Sequence, residues 1–318
     1  MTAKIRPIAI FKEMTLTISE RPYNQDGTSE PRVRNFPTEI FGHHYMDHSE
    51  EAKTCLKDQY CPYLGGTCKK PRKSEPHIKV GICSVGYKGF LDQFKPIIIC
   101  PHRFLEDEIF ESLTRVYLSG WQSVEWVSEV NIKVGGNVDF VAIDKRRDSD
   151  TITDFLCVEF QAAGTTGTPW QAVLEFKNNR RYSKDVYKYG INWANEFMKT
   201  MMQQVYKKGY IVRSWGRKIV FIVQDVAIDY LKSAVDTSQL HDFNDRDEIH
   251  FMTFKLAWMN DKWGLQFNNI VCSNVEGIGK ILGGAHSDLY PTEEDFKNSI
   301  LLKGKKDGIF QPPRSASS

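Results

Sequence analysis

Apolar residues first recur at helical spacing and then crowd into short dense runs, and this change of period organises the chain. Phe104, Ile109, Phe110, Leu113, Val116 and Tyr117 return every few positions with acidic residues between them, which predicts an amphipathic helix over residues 103–118. Three runs rich in Val, Ile, Phe and Trp follow at 124–134, 138–144 and 154–161. Gly135-Gly136 parts the first two, so the pattern predicts three consecutive strands opening with a hairpin. After a loop rich in glycine and threonine, Ile191, Ala194, Phe197, Met198, Met201 and Val205 mark one face of a helix predicted over 185–208, and 218–224 predicts a fourth strand. A short helix at 229–235, strands at 249–258 and 263–273, and a polar tail at 312–318 complete the pattern. Helix, three strands, helix, strand is the order of an α/β sandwich built on a mixed central sheet with helices on its faces.

Ahead of the first helix the texture differs. Residues 36–95 are rich in Gly, Pro, Cys and His without sustained periodicity, the mark of a small irregular module that needs a metal to hold it. A polar stretch at 23–34 reads as a linker. The expected division is therefore an N-terminal segment 1–34, a metal-binding module 35–100, a catalytic core 101–232 and an α+β extension 233–318 with a disordered tail. No internal repeat is present.

Composition removes some classes and leaves others. With 318 residues, 41% hydrophobic and 26% charged, the chain has the balance of a globular protein rather than a disordered or membrane one. No apolar run approaches the roughly 18 residues of a spanning helix. The first residues lack a charged leader with a long apolar stretch, so the expected location is the cytoplasm, with no membrane partner. A net charge of +2 neither demands nor excludes a polyanionic partner.

The chemistry concentrates in the predicted strands. Asp139 lies in Gly-Asn-Val-Asp-Phe, and the next strand carries Glu159-Phe160-Gln161. Residues two apart on a strand share a face, so Glu159 and Gln161 project together, and a hairpin return can bring Asp139 beside them. Two converging carboxylates suit a hard divalent cation such as Mg²⁺. Phe155, Leu156, Val158 and Phe160 predict a buried strand, in which an ionised glutamate needs a metal or a hydrogen-bond network. Gln161 is neutral and cannot act as a base, but its amide can orient a water. Glu129 is a further carboxylate that could join the site, as is Glu108 or Glu111, each more readily read as a surface charge.

Seven cysteines is an odd count, and Cys55, Cys61, Cys68 and Cys83 crowd together with spacing C-x5-C-x6-C-x14-C. In a reducing compartment this points to a structural zinc or iron site before disulfides. His77 or Cys100 could replace one ligand, and Cys157 and Cys272 read as small core residues. Two basic runs, Lys69, Lys70, Arg72 and Lys73, then Lys177, Arg180, Arg181, Lys184 and Lys188, are candidates for phosphate contact or plain solvated faces. Gln171 could also approach a duplex, and Trp170 could too, although a tryptophan there also suits the core.

Phe41-Gly42-His43, Ser49-Glu50-Glu51-Ala52, Cys61-Pro62, Gly81-Ile82-Cys83-Ser84, Val138-Asp139-Phe140 and Val158-Glu159-Phe160-Gln161-Ala162 resemble the NotI-like type II restriction endonucleases, over about residues 41–224. The resemblance implies a PD-(D/E)xK core whose usual lysine is replaced by glutamine, joined to a four-cysteine iron knuckle. It further implies that Asp139 and Glu159 bind Mg²⁺, that Gln161 takes the lysine position and that Cys55, Cys61, Cys68 and Cys83 hold iron. A homodimer cutting double-stranded DNA at a GC-rich palindrome would follow, in a prokaryote whose cognate DNA methyltransferase protects the same site. Two other classes stay open from sequence: a metal-knuckle DNA-binding protein without catalysis, and a repair nuclease reading DNA structure.

Overall fold

The computed structural model describes residues 34–146, 151–184, 186–195 and 201–283, together with 294, 297 and 302. The expected N-terminal segment and the tail at 312–318 lie outside the described residues, apart from Arg34. Near the start, β1 (Pro37–Ile40), β2 (His43–His44), β3 (Ile82–Tyr87) and β4 (Lys95–Ile98) form an antiparallel sheet in the order β2-β1-β3-β4. Between β2 and β3 runs α1 (Glu50–Asp58). The Ser49 hydroxyl accepts the Ala52 amide at 3.1 Å and Glu50 and Glu51 face the positive end of the helix dipole, which is why α1 starts there. Gln59, in the left-handed region at φ 53, ends it.

The larger sheet has seven strands: β5 (Val124–Asn131), β6 (Asn137–Lys145), β7 (Ile152–Gln161), β8 (Ile219–Gln224), β9 (His241–Asp242), β10 (Ile249–Met259) and β11 (Lys262–Ser273). Their order is β9-β11-β10-β8-β7-β6-β5; β7 with β8 and β8 with β10 are parallel, and the other pairs antiparallel. Every residue of β8, Ile-Val-Phe-Ile-Val-Gln, is buried, as a strand covered on both faces requires.

Helices supply that cover. On one face α2 (Asp107–Leu113) sets Ile109 and Leu113 against Leu156, Val158, Phe160 and Met252. On the other, α3 (Trp170–Asn179), α4 (Met202–Ser214), α5 (Asp225–Ala234) and α6 (Val275–Gly283) bring Val173, Val205, Val226 and Ile278 onto Val138, Cys157 and Phe221. Each such side chain contributes roughly 1.5–3 kcal/mol when fully buried. No helix of the described residues is long and apolar enough to cross a membrane.

Several boundaries differ from the sequence pattern. The helix expected over 103–118 is three pieces: a 3-10 turn at Pro101–Phe104, α2 from Asp107, and a π-helical turn at Thr114–Leu118. Arg103 does not belong to the amphipathic face, because its side chain is committed to a buried ion pair. The helix expected over 185–208 starts later and ends later. Gly190–Ile191 instead pairs with Thr165–Thr166 as a short antiparallel ribbon, which buries Ile191 without a helical turn. Phe197 and Met198 lie outside the described residues. Beyond 208, Val212 continues the buried stripe, so α4 runs on to Ser214.

The segment 35–100 carries a regular sheet and α1 rather than an irregular loop. Its Ile82 and Ile97 join the same apolar cluster as Phe221 and Val275, so the divisions expected at 100/101 and 232/233 do not separate cores. The strands β10 and β11 complete the central sheet. Gln224 ties the two sheets together: its Oε1 accepts the Ile98 amide at 2.8 Å and its Nε2 donates to the Pro96 carbonyl at 2.8 Å.

Candidate active site

The antiparallel register of β6 and β7 pairs Phe140 with Val158 and Val141 with Cys157, and Asp139 and Glu159 follow one residue beyond the last of these pairs. The Phe160 amide donates to Asp139 Oδ2 at 2.8 Å and so fixes that carboxylate at the junction of the strands. On the outer side of β6, pairs of Val138 with Val130 and Phe140 with Ser128 put Glu129 across from Asp139. Glu129 has φ 55 and accepts the Asn137 side-chain amide at 3.4 Å, so an exposed carboxylate ends the row.

The row is electrostatically tense. Glu159 is 5% exposed, and burial raises its carboxyl to about 7; Lys208 opposes this, and the Asp139 charge adds to it. Burial raises the Asp139 carboxyl as well, against the Phe160 amide and Lys208, with Glu129 pushing upward and His102 downward. The Lys208 ammonium donates to Glu159 Oε1 at 2.5 Å and to the Asn137 carbonyl at 2.7 Å. Gln161, half-buried, shares the face of Glu159 at the end of β7; two residues on, the Ala163 amide donates to the Ile98 carbonyl at 2.9 Å and leads the chain to the smaller sheet.

Lys208 and His102 were not singled out from sequence. For Lys208 a signal existed: with Met201, Val205 and Val212 it occupies the 3.6-residue stripe that α4 buries, and a lysine there needs a partner. For His102, which precedes the buried Arg103, the sequence offers no comparable signal.

The basic candidates separate by what they touch. Lys69, Lys73, Arg181 and Lys184 are exposed. Arg72 pairs with Glu75 and lies over the Trp170 ring at 4.6 Å. Lys177 donates to the Lys79 carbonyl at 2.6 Å, Lys70 to the Ile99 carbonyl at 2.9 Å, and Arg180 to the Asp47 carbonyl, so these three are engaged within the protein. Arg180 also lines a cavity of about 680 Å³ with Arg181, Lys184 and Tyr182. Gln171 is exposed at the start of α3.

The cysteines group differently from their spacing. All seven are buried and free. Burial raises the Cys61 thiol, with Cys68 and Cys100 adding to the effect and the Leu64 and Tyr63 amides pulling it back. Burial also raises Cys100, against Lys70 and the His102 and Arg103 amides, with Cys68 adding. The Cys83 thiol is raised by burial, then by Glu39 and Cys100, and its Sγ accepts the Gly42 amide at 3.3 Å. Cys55, on α1, is raised by burial and by Glu51, Asp58 and Asp47. Cys61, Cys68, Cys83 and Cys100 are therefore one electrostatic neighbourhood, with Cys61-Pro62 and Cys100-Pro101 each turning amides toward sulfur. Among the described residues no three His, Cys, Asp or Glu side chains converge closely enough to hold a metal ion, and neither His77 nor Cys55 completes such a group.

Comparison with known proteins adds the family. No curated protein matches the chain. The family model described as restriction endonuclease NotI matches residues 48–267, a span that contains six of the seven cysteines, the carboxylate row and Lys208. A match over that much of the chain settles membership: the protein belongs to the NotI restriction endonuclease family and is a type II site-specific deoxyribonuclease acting on double-stranded DNA.

Proposed function

We propose that the chain cleaves both strands of a specific DNA site in a Mg²⁺-dependent reaction centred on Asp139 and Glu159. The observation that carries this reading is their place at the end of the β6/β7 ladder, one residue beyond the pair Phe140 with Val158, where the Phe160 amide donates to Asp139 Oδ2 at 2.8 Å. Two carboxylates, completed by waters and phosphate oxygens, are the usual protein share of a Mg²⁺ site. The ion, when bound, would lower the pKa of a water and neutralise charge on the phosphate under attack. The protein's own part is to hold the carboxylates in register and to orient the water through the Gln161 amide. Glu129, exposed at the end of the row, is the accessory carboxylate.

The exposed Lys69, Lys73, Arg181 and Lys184, with Gln171, are the residues placed to meet DNA. Lys70, Arg72, Lys177 and Arg180 shape that surface from within. Thiolates suit a structural iron or zinc ion, although in this structure Cys61, Cys68 and Cys83 do not converge closely enough to hold one. The fourth ligand would be Cys100, which acts electrostatically on Cys61 and Cys83, or Cys55, which packs with Cys61 and Cys68. No step of the cleavage passes through that ion. The wider reading is a homodimer on a GC-rich palindrome, working in a prokaryotic cytoplasm beside a cognate methyltransferase.

The test is cleavage mapping on one sequenced genome-length DNA with Mg²⁺, beside the variant Glu159→Ala. Fixed fragment ends are expected from the native protein. The variant should give no cleavage while retaining site binding in Ca²⁺, since it removes a metal ligand and not a base contact. Cutting by Glu159→Ala at the native rate overturns the assignment.

A further inference from the structure

We infer that Lys208 is a positioning residue of the cleavage site, delivering from α4 the positive charge that Gln161 cannot provide from β7. The inference rests on the reading of Asp139 and Glu159 given above. Lys208 is 3% exposed, and among the described residues the buried cations are Lys208 and Arg103. Arg103 is spent on Glu39 and Glu106 at another place in the fold. Lys208 thus brings the one buried cation to the carboxylate row.

Its geometry is that of a clamp. One N–H goes to Glu159 Oε1 at 2.5 Å and another to the Asn137 carbonyl at 2.7 Å, two residues before Asp139. The ammonium therefore spans β6 and β7 at the end of their ladder, where the carboxylates stand, with a third N–H in hand. Packing does not explain it. The neighbours Met201, Met202, Val205 and Val212 already bury the face of α4 completely, and an apolar side chain at 208 would fill the space without the cost of taking an ammonium out of water. What a methionine could not do is donate to Glu159 and to the Asn137 carbonyl at once and so aim the carboxylate along the row.

The experiment uses the full-length protein, DNA carrying the mapped site, Mg²⁺ for single-turnover cleavage and Ca²⁺ for binding. Lys208→Gln keeps amide hydrogens for both partners and removes the charge, so it separates hydrogen bonding from electrostatics. Its cleavage rate is expected to fall about 100-fold with affinity in Ca²⁺ changed less than about threefold. Lys208→Arg, which keeps the charge, should stay within about tenfold of native. Adding Gln161→Lys to Lys208→Gln should recover at least about tenfold, because it returns an ammonium to the same face.

A Lys208→Gln rate within about threefold of native overturns the inference, as does a Lys208→Arg rate as low as that of Glu159→Ala. If Lys208→Gln does not fold, the Lys208→Arg result decides alone. Failure of the underlying reading is seen separately, as cleavage by Glu159→Ala.

Discussion

Glu39 and Arg103 are 1% and 0% exposed, and each is satisfied only by the surrounding protein. Arg103 Nε donates to Glu39 Oε1 at 3.0 Å, its Nη2 donates to the Trp263 carbonyl at 2.9 Å, and the Ser84 hydroxyl donates to Glu39 Oε2 at 2.5 Å. Glu39→Ala leaves the buried Arg103 with Glu106 as its remaining carboxylate and its Nε without an acceptor, and is expected to cost about 3 kcal/mol in denaturant unfolding. Replacing both partners by apolar residues should cost less. His250 gives the pH dependence: burial lowers it from 6.5 to about 4, and the neutral ring lies 2.8 Å from the Tyr117 hydroxyl and donates to the Asp247 carbonyl at 3.0 Å. The unfolded chain binds a proton here that the folded chain refuses, so this contribution is complete above pH 6.5 and fades as pH falls toward 4. A loss of about 3 kcal/mol over that window is expected. His44, which burial lowers to about 3, acts in the same direction, so His250→Gln should make the unfolding-versus-pH curve shallower there without flattening it. The neighbouring strands that carry Asp139 and Glu159 were legible in the sequence because a carboxylate in an apolar strand stands out against its neighbours. Glu39 and Arg103 were not, since a buried pair far apart in sequence leaves no local pattern.

At the scale of elements, the strands were read well and the helices less so. Dense apolar runs at 138–144 and 218–224 can only be buried strands in a chain this mixed, and β6 and β8 lie there. The helix boundaries slipped where apolar residues were buried by other means: Ile191 by a two-stranded ribbon, Phe104 by a 3-10 turn behind Pro101. The cysteines leave the fourth ligand between two elements, because Cys55 on α1 packs with Cys61 and Cys68 while Cys100 acts electrostatically on Cys61 and Cys83. Elemental analysis decides between them: metal retained in Cys55→Ser and lost in Cys100→Ser selects Cys100, and the reverse result selects Cys55. The cap of α1 is a smaller matter, and Ser49→Ala is expected to cost about 1 kcal/mol in the same unfolding measurement.

For the whole molecule, the mixed sheet with helices on both faces was visible in the order of periods, whereas the extent of its core was not. Composition changes near 100 and 232 resemble boundaries, yet Ile82, Phe221 and Val275 share one interior. Tertiary burial is not written in local composition. On the proposed reading, a chain with one carboxylate row among its described residues would cut two strands as two copies. Sedimentation of the DNA complex in Ca²⁺ should show two chains per duplex site, and a single chain per site would reject the dimer.

The side chain of Gln224 behaves as a spare peptide unit, offering one acceptor and one donor to the rim of the smaller sheet from the end of the strand beside β7. A swivel at that seam would strand two backbone groups in a dry interior, a toll of about 1–3 kcal/mol apiece. The sheet that carries Cys83 is therefore geared to the sheet that carries Asp139 and Glu159. On the reading proposed above, both would meet a duplex as one rigid piece.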